Sequence, residues 1–102
     1  MHVLVLKESL YQEQPWVAES IYKAMVAAKS WVLDRMQEGG TLRFMLPWLR
    51  DDLEQMEKFF GGDGWPYGLE PNRHTLETLM DYLVEQGLMR NKIPLEELFL
   101  PL

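Results

Sequence analysis

The chain has 102 residues, enough for one modest domain and too few for two. Ten Lys and Arg stand against sixteen Asp and Glu, a formal net charge of -6 that argues against nucleic-acid binding, because phosphate neutralisation needs a basic patch. The absence of cysteine excludes disulfides and thiolate metal sites, and no apolar run approaches the ~20 residues that a membrane span requires.

His2 to Leu6 reads as a short strand. Val3, Leu4, Val5 and Leu6 form a continuous apolar run, as in strands covered on both faces. No other segment reads as a convincing strand, so this one lacks a partner within the chain, and unpaired backbone groups are costly to bury. The expectation is therefore pairing with a second copy, or membership of something larger. The opening Met1 to Lys7 is too short for a signal peptide and lacks its basic start, so the chain as it stands reads as unprocessed and cytoplasmic.

Glu8 to Gln14 allows one short helical turn. Pro15 suits the first position of a long helix running to about Glu38, where Gly39-Gly40 would end it. Val17, Ile21, Ala24, Met25, Ala28, Trp31, Val32 and Met36 make a wide apolar face on it, and the polar stripe left over is narrow. Such a pattern predicts a helix more than half buried. Thr41 to Leu46 is ambiguous between extended and helical. Leu46-Pro47-Trp48-Leu49 leads into a helix through Phe60 with Leu49, Leu53, Met56 and Phe60 on one face, ended by Gly61-Gly62.

The segment from Gly61 to Arg73 packs four glycines, two prolines, Trp65, Tyr67, two acids and an arginine into thirteen positions. That glycine and proline density predicts a loop with several fixed turns. Its rings must be buried against the helices or presented to a ligand, and the sequence leaves both open. A further helix begins near Pro71 and runs to Gln86, capped by Gly87, with Leu76, Leu79, Met80 and Leu83 facing the core. A last short helix spans about Pro94 to Phe99.

Steps of three and four residues from Arg73 reach Leu76, Met80 and Leu83, so Arg73 starts the buried stripe. His74 leads to Glu77, Thr78 and Asp81, a solvated face. An inward arginine at a helix start must find an anion or acceptor: Asp63 or Glu70 as a structural salt bridge, loop carbonyls, or an anionic ligand. Asn72 has the donor and acceptor either to orient such a ligand or to cap the loop. Asp51-Asp52 and Glu96-Glu97 read as solvated surface. Two histidines and no cysteine leave no cluster at metal-ligand spacing, and no phosphate-binding loop appears, so neither metal nor cofactor is expected.

The run Phe60-Gly61-Gly62-Asp63-Gly64-Trp65-Pro66-Tyr67-Gly68-Leu69-Glu70-Pro71-Asn72-Arg73, followed by Thr75-Leu76-Glu77, resembles the C-terminal part of 4,5-dihydroxyphthalate decarboxylases. The likeness extends to Met1-His2, to Tyr11 with Pro15-Trp16-Val17-Ala18, to Leu46-Pro47-Trp48, to Glu85-Gln86-Gly87-Leu88, and to Pro94 with Glu96-Glu97-Leu98-Phe99. It implies a two-lobed α/β fold of solute-binding-protein type. Of this fold the chain would be the mainly α C-terminal portion, with its one short strand returning to the first lobe and Met1 an internal methionine. The implied reaction is loss of CO2 from a small aromatic dicarboxylate, without a cofactor. In that reaction Arg73 would clamp a carboxylate, Trp65, Tyr67 and Asn72 would border and orient the ring, and His2 would serve as acid or phenol acceptor.

The same resemblance admits a lobe of a non-catalytic solute-binding protein for a small anion, which would be periplasmic. A third reading is a helical oligomerisation module with Trp65 and Tyr67 in its core. In each case the open strand or the apolar helix face would favour self-association.

Overall fold

Helices supply the regular structure in a computed structural model of the chain, which describes residues 2–38 and 44–102. They are α1 (Glu8–Glu13), α2 (Trp16–Gln37), α3 (Leu49–Phe60), α4 (Arg73–Glu85) and α5 (Leu95–Leu98), with a 3-10 turn over Glu70–Asn72. Each begins or ends close to its sequence signal. Pro15 immediately precedes α2 with a φ of -58°, already suited to a helix start. Gly61 closes α3 at a φ of +66°, a left-handed conformation that glycine adopts without penalty, and its N–H donates to the Glu57 carbonyl at 2.8 Å. Pro71 lies inside the 3-10 turn that Glu70 begins, so α4 starts at Arg73, two residues later than the sequence suggests.

The expected N-terminal strand does not form. Residues 2–7 carry no regular structure, and no strand exists among the described residues to offer a hydrogen-bonded ladder. Without a partner the apolar run has nothing to bury against, and Val3, Leu4 and Val5 are exposed. The mainly α architecture agrees with the sequence; the N-terminal strand, for which the sequence called for a partner outside the chain, is not shown. Gly39-Gly40 and the start of the ambiguous Thr41–Leu46 segment lie outside the described residues.

The core sits between α4 and α5. Leu76 and Met80, one helical turn apart, pack with Leu95, and Leu69, Leu83, Met89 and Phe99 surround them. Each fully buried side chain of this kind is worth about 1.5–3 kcal/mol, so this small cluster is the centre of stability. Leu79, which the sequence assigns to the same face, lies on its open edge at 39% exposure.

The long helix α2 departs most from expectation. Among its side chains only Ala18 is buried, while Met25, Trp31 and Val32 of the apolar face are exposed. The Cα radius of gyration is 17.6 Å, against about 13 Å for a compact domain of this length. Part of the face predicted to be covered is open, while Val17, Ile21 and Met36 of it are half-buried.

Candidate functional site

The loop between α3 and α4 is held in shape by its own polar groups. The Asp63 carboxylate accepts the Trp65 N–H at 3.0 Å, fixing the first turn. Asn72 donates its side-chain amide to the Pro66 carbonyl at 2.8 Å and to the Gly68 carbonyl at 2.9 Å. Those two bonds close the second half of the loop onto the start of α4. Gly68 lies at a φ of +100°, and a Cβ there would stand 3.3 Å from the Tyr22 hydroxyl. Both the backbone angle and the close approach of α2 select glycine.

Lys29 of α2 ties this loop to the long helix. Its ammonium forms an ion pair with Asp63, donates to the Trp65 carbonyl at 2.7 Å, and stands 4.6 Å from the centre of the Tyr67 ring. Its hydrogen bond to Asp63, with the Trp65 N–H second, holds the Asp63 carboxyl below its usual range. Ala18, Tyr22 and Lys29 follow at helical spacing, which is how one edge of α2 comes to meet the loop.

Beside this tie runs a groove of about 500 Å³, with Tyr22, Tyr67, Leu69 and Phe99 among its walls and Arg73, Glu70 and Glu96 on its rim. Arg73 donates to Glu70 through Nε at 3.2 Å and through Nη2 at 2.6 Å, and Nη2 also meets Glu96 at 2.8 Å. Nη1 forms a longer ion pair with Glu77 at 3.7 Å. Bonds to Glu70 first and Glu96 second push the guanidinium further toward its charged form, while Arg73 in turn lowers Glu70. Glu96 is also lowered, by its own backbone N–H first and by Arg73 second. One cation among three carboxylates leaves this corner net negative, so an incoming anion must compete with groups already present.

The structure brings two of the five predicted site residues, Tyr67 and Arg73, to one groove. Asn72 supports the loop behind them. The Trp65 ring is 70% exposed and lies outside the groove lining, though its backbone anchors Lys29. His2 is exposed on the N-terminal segment, with no hydrogen bond or ion pair to the loop. Of the partners foreseen for Arg73, Glu70 is correct, whereas Asp63 belongs to Lys29. Sequence reading missed Lys29, Tyr22 and Glu96. A lysine spaced seven residues from Tyr22 and eleven from Ala18 on α2 was the available signal for the first two. Nothing in the sequence singles out Glu96 from its neighbour Glu97.

No protein-family profile matches the chain. It is 28% identical over 101 residues to a 4,5-dihydroxyphthalate decarboxylase of Comamonas testosteroni, an alignment covering 99% of this chain. The chain spans 31% of the length of that relative. Among the described residues, no helix is long and apolar enough to cross a membrane.

Proposed function

We propose that this chain is the C-terminal part of a non-oxidative decarboxylase of 4,5-dihydroxyphthalate, closing a two-lobed α/β fold of solute-binding type. The observation that carries this reading is the end-to-end similarity to one such enzyme, 28% identical over 99% of the chain. The groove supports it chemically. Tyr22, Tyr67 and Phe99 offer aromatic walls to a flat ring, and Arg73 lines the same groove.

In this reaction each carboxylate lies para to a hydroxyl. Loss of the phenolic proton pushes electron density to the carboxyl-bearing carbon, which takes up a proton as the bond to CO2 breaks. The protein must hold the spectator carboxylate, accept the phenolic proton and deliver a proton to carbon. Arg73 takes the first role here, and Tyr67 borders the ring, with the Trp65 backbone helping to anchor that wall through Lys29. Asn72 keeps the loop in register, and the acid and phenol-acceptor roles fall to groups outside the groove lining, of which His2 is the candidate the sequence offers. A cleft between two lobes requires both, so the chain alone is expected to release no CO2.

The test is a chimera in which this chain replaces the corresponding third of the Comamonas testosteroni protein. CO2 release from 4,5-dihydroxyphthalate is expected, and its loss on Arg73→Ala. A chimera that folds by circular dichroism yet releases no CO2 overturns the proposal. Ligand binding without release would point instead to a solute-binding lobe.

A further inference from the structure

Arg73 is occupied in an uneven way. Glu70 engages two of its nitrogens from three residues upstream, through Nε at 3.2 Å and Nη2 at 2.6 Å. Glu96 comes from a different element, α5, and makes a single contact to Nη2 at 2.8 Å with its side chain 63% exposed. Local geometry thus holds Glu70 in place, whereas Glu96 depends on the placement of α5. Glu96 and Arg73 line both this groove and a neighbouring cavity, whereas Glu77 lines only the latter.

We propose that Glu96 is a specificity-determining residue, an internal carboxylate that occupies on Arg73 the position a ligand carboxylate takes in the groove. The inference rests on the proposed aromatic dicarboxylate reading and deepens it. A monodentate, solvent-exposed carboxylate is a weak competitor, because exposed ion pairs contribute little. A ligand that presents a carboxylate and stacks its ring between Tyr67 and Phe99 displaces it; a simple anion without the ring does not gain enough to do so. The internal carboxylate therefore selects for ligands that are both anionic and aromatic. Residues Phe99 to Leu102, which follow α5, line the same groove and report on its occupation.

The probe is phthalate, titrated into the chain and followed by the side-chain Nε–H signal of Arg73 and the backbone amides of residues 95–102 in nitrogen-15 NMR spectra. Glu96→Gln keeps the side-chain shape and is expected to tighten phthalate binding about threefold, the effect of removing an exposed ionic competitor. Acetate, lacking the ring, is expected to bind the parent chain too weakly to move the Arg73 signal. Glu97→Gln is the control for charge alone, since it removes the same charge from the same helix at a residue that lines neither cavity, and should change binding less than twofold.

Equal gains from both variants overturn the proposal, since they would reflect the field of the cluster and no direct competition. Binding by Glu96→Gln no tighter than by the parent chain, with amide signals of 95–102 collapsed to unfolded positions, identifies Glu96 as a structural tie and also overturns it. If phthalate moves the Arg73 signal in none of the three chains, the anion position on Arg73 is wrong. CO2 release by the chimera then still decides the decarboxylase reading separately.

Discussion

Lys29 and Asp63, 34 residues apart in the chain, form the ion pair that fastens the loop before α4 to the long helix α2. The Lys29 side chain is only 17% exposed there, because it also reaches the Trp65 carbonyl and the Tyr67 ring. The groove wall on the α2 side, Tyr22, keeps its place beside Tyr67 through this tie.

Replacing Lys29 with Met keeps the aliphatic stem and removes the charge. The loss of an ion pair, a charged hydrogen bond and a ring contact is expected to destabilise the chain by about 1–2 kcal/mol. Urea unfolding followed by far-UV circular dichroism measures it. A midpoint equal to that of the parent chain would show that the tie contributes nothing.

The same contact predicts a pH dependence. Lys29 holds the Asp63 carboxyl below its ordinary value of 3.8, so the stabilisation is fully present above that pH and is lost as the pH falls below it. Asp63→Asn should remove this part of the acid limb while leaving stability flat between pH 5 and 7. Thermal midpoints across pH 2.5 to 7 for both chains test the sign; an acid limb identical in the two would contradict it.

Gly68 allows little else at its position. Alanine there would sit at a φ of +100° with its Cβ 3.3 Å from the Tyr22 hydroxyl. Gly68→Ala is expected to cost about 1–3 kcal/mol, the range for a non-glycine residue in a sparsely populated backbone region. The measurement is again the urea midpoint. Partial recovery in Gly68→Ala with Tyr22→Phe would separate the steric share from the backbone share.

The open face of α2 predicts self-association. Ala28 lies at the centre of that face, among exposed Met25, Trp31 and Val32. Sedimentation velocity should show a concentration-dependent dimer, and Ala28→Glu should weaken it about tenfold or more, equivalent to about 1.4 kcal/mol. Because Ala28 is exposed, the substitution should leave helix content unchanged. Purely monomeric parent chain at high concentration would contradict this expectation.

Local signals in the sequence determined most of the helical framework. Pro15, Gly61, Pro71 and Gly87 mark boundaries that the structure reproduces within about two residues, since capping and proline sterics act over a single turn. Periodicity also placed Leu76 and Met80 in the core and directed Arg73 toward partners at its helix start, of which Glu70, three residues away, was legible. Only the tertiary structure decided the partners that lie far along the chain. Asp63 goes to Lys29, Glu96 comes to Arg73 from α5, and Tyr22 joins Tyr67 in lining one groove. Helical spacing shows which side chains share a face, but the irregular loop between α3 and α4 sets which faces meet. The same limit explains the unformed strand and the open α2 face. An apolar pattern states what a segment would bury, and only the packed neighbours determine whether it does.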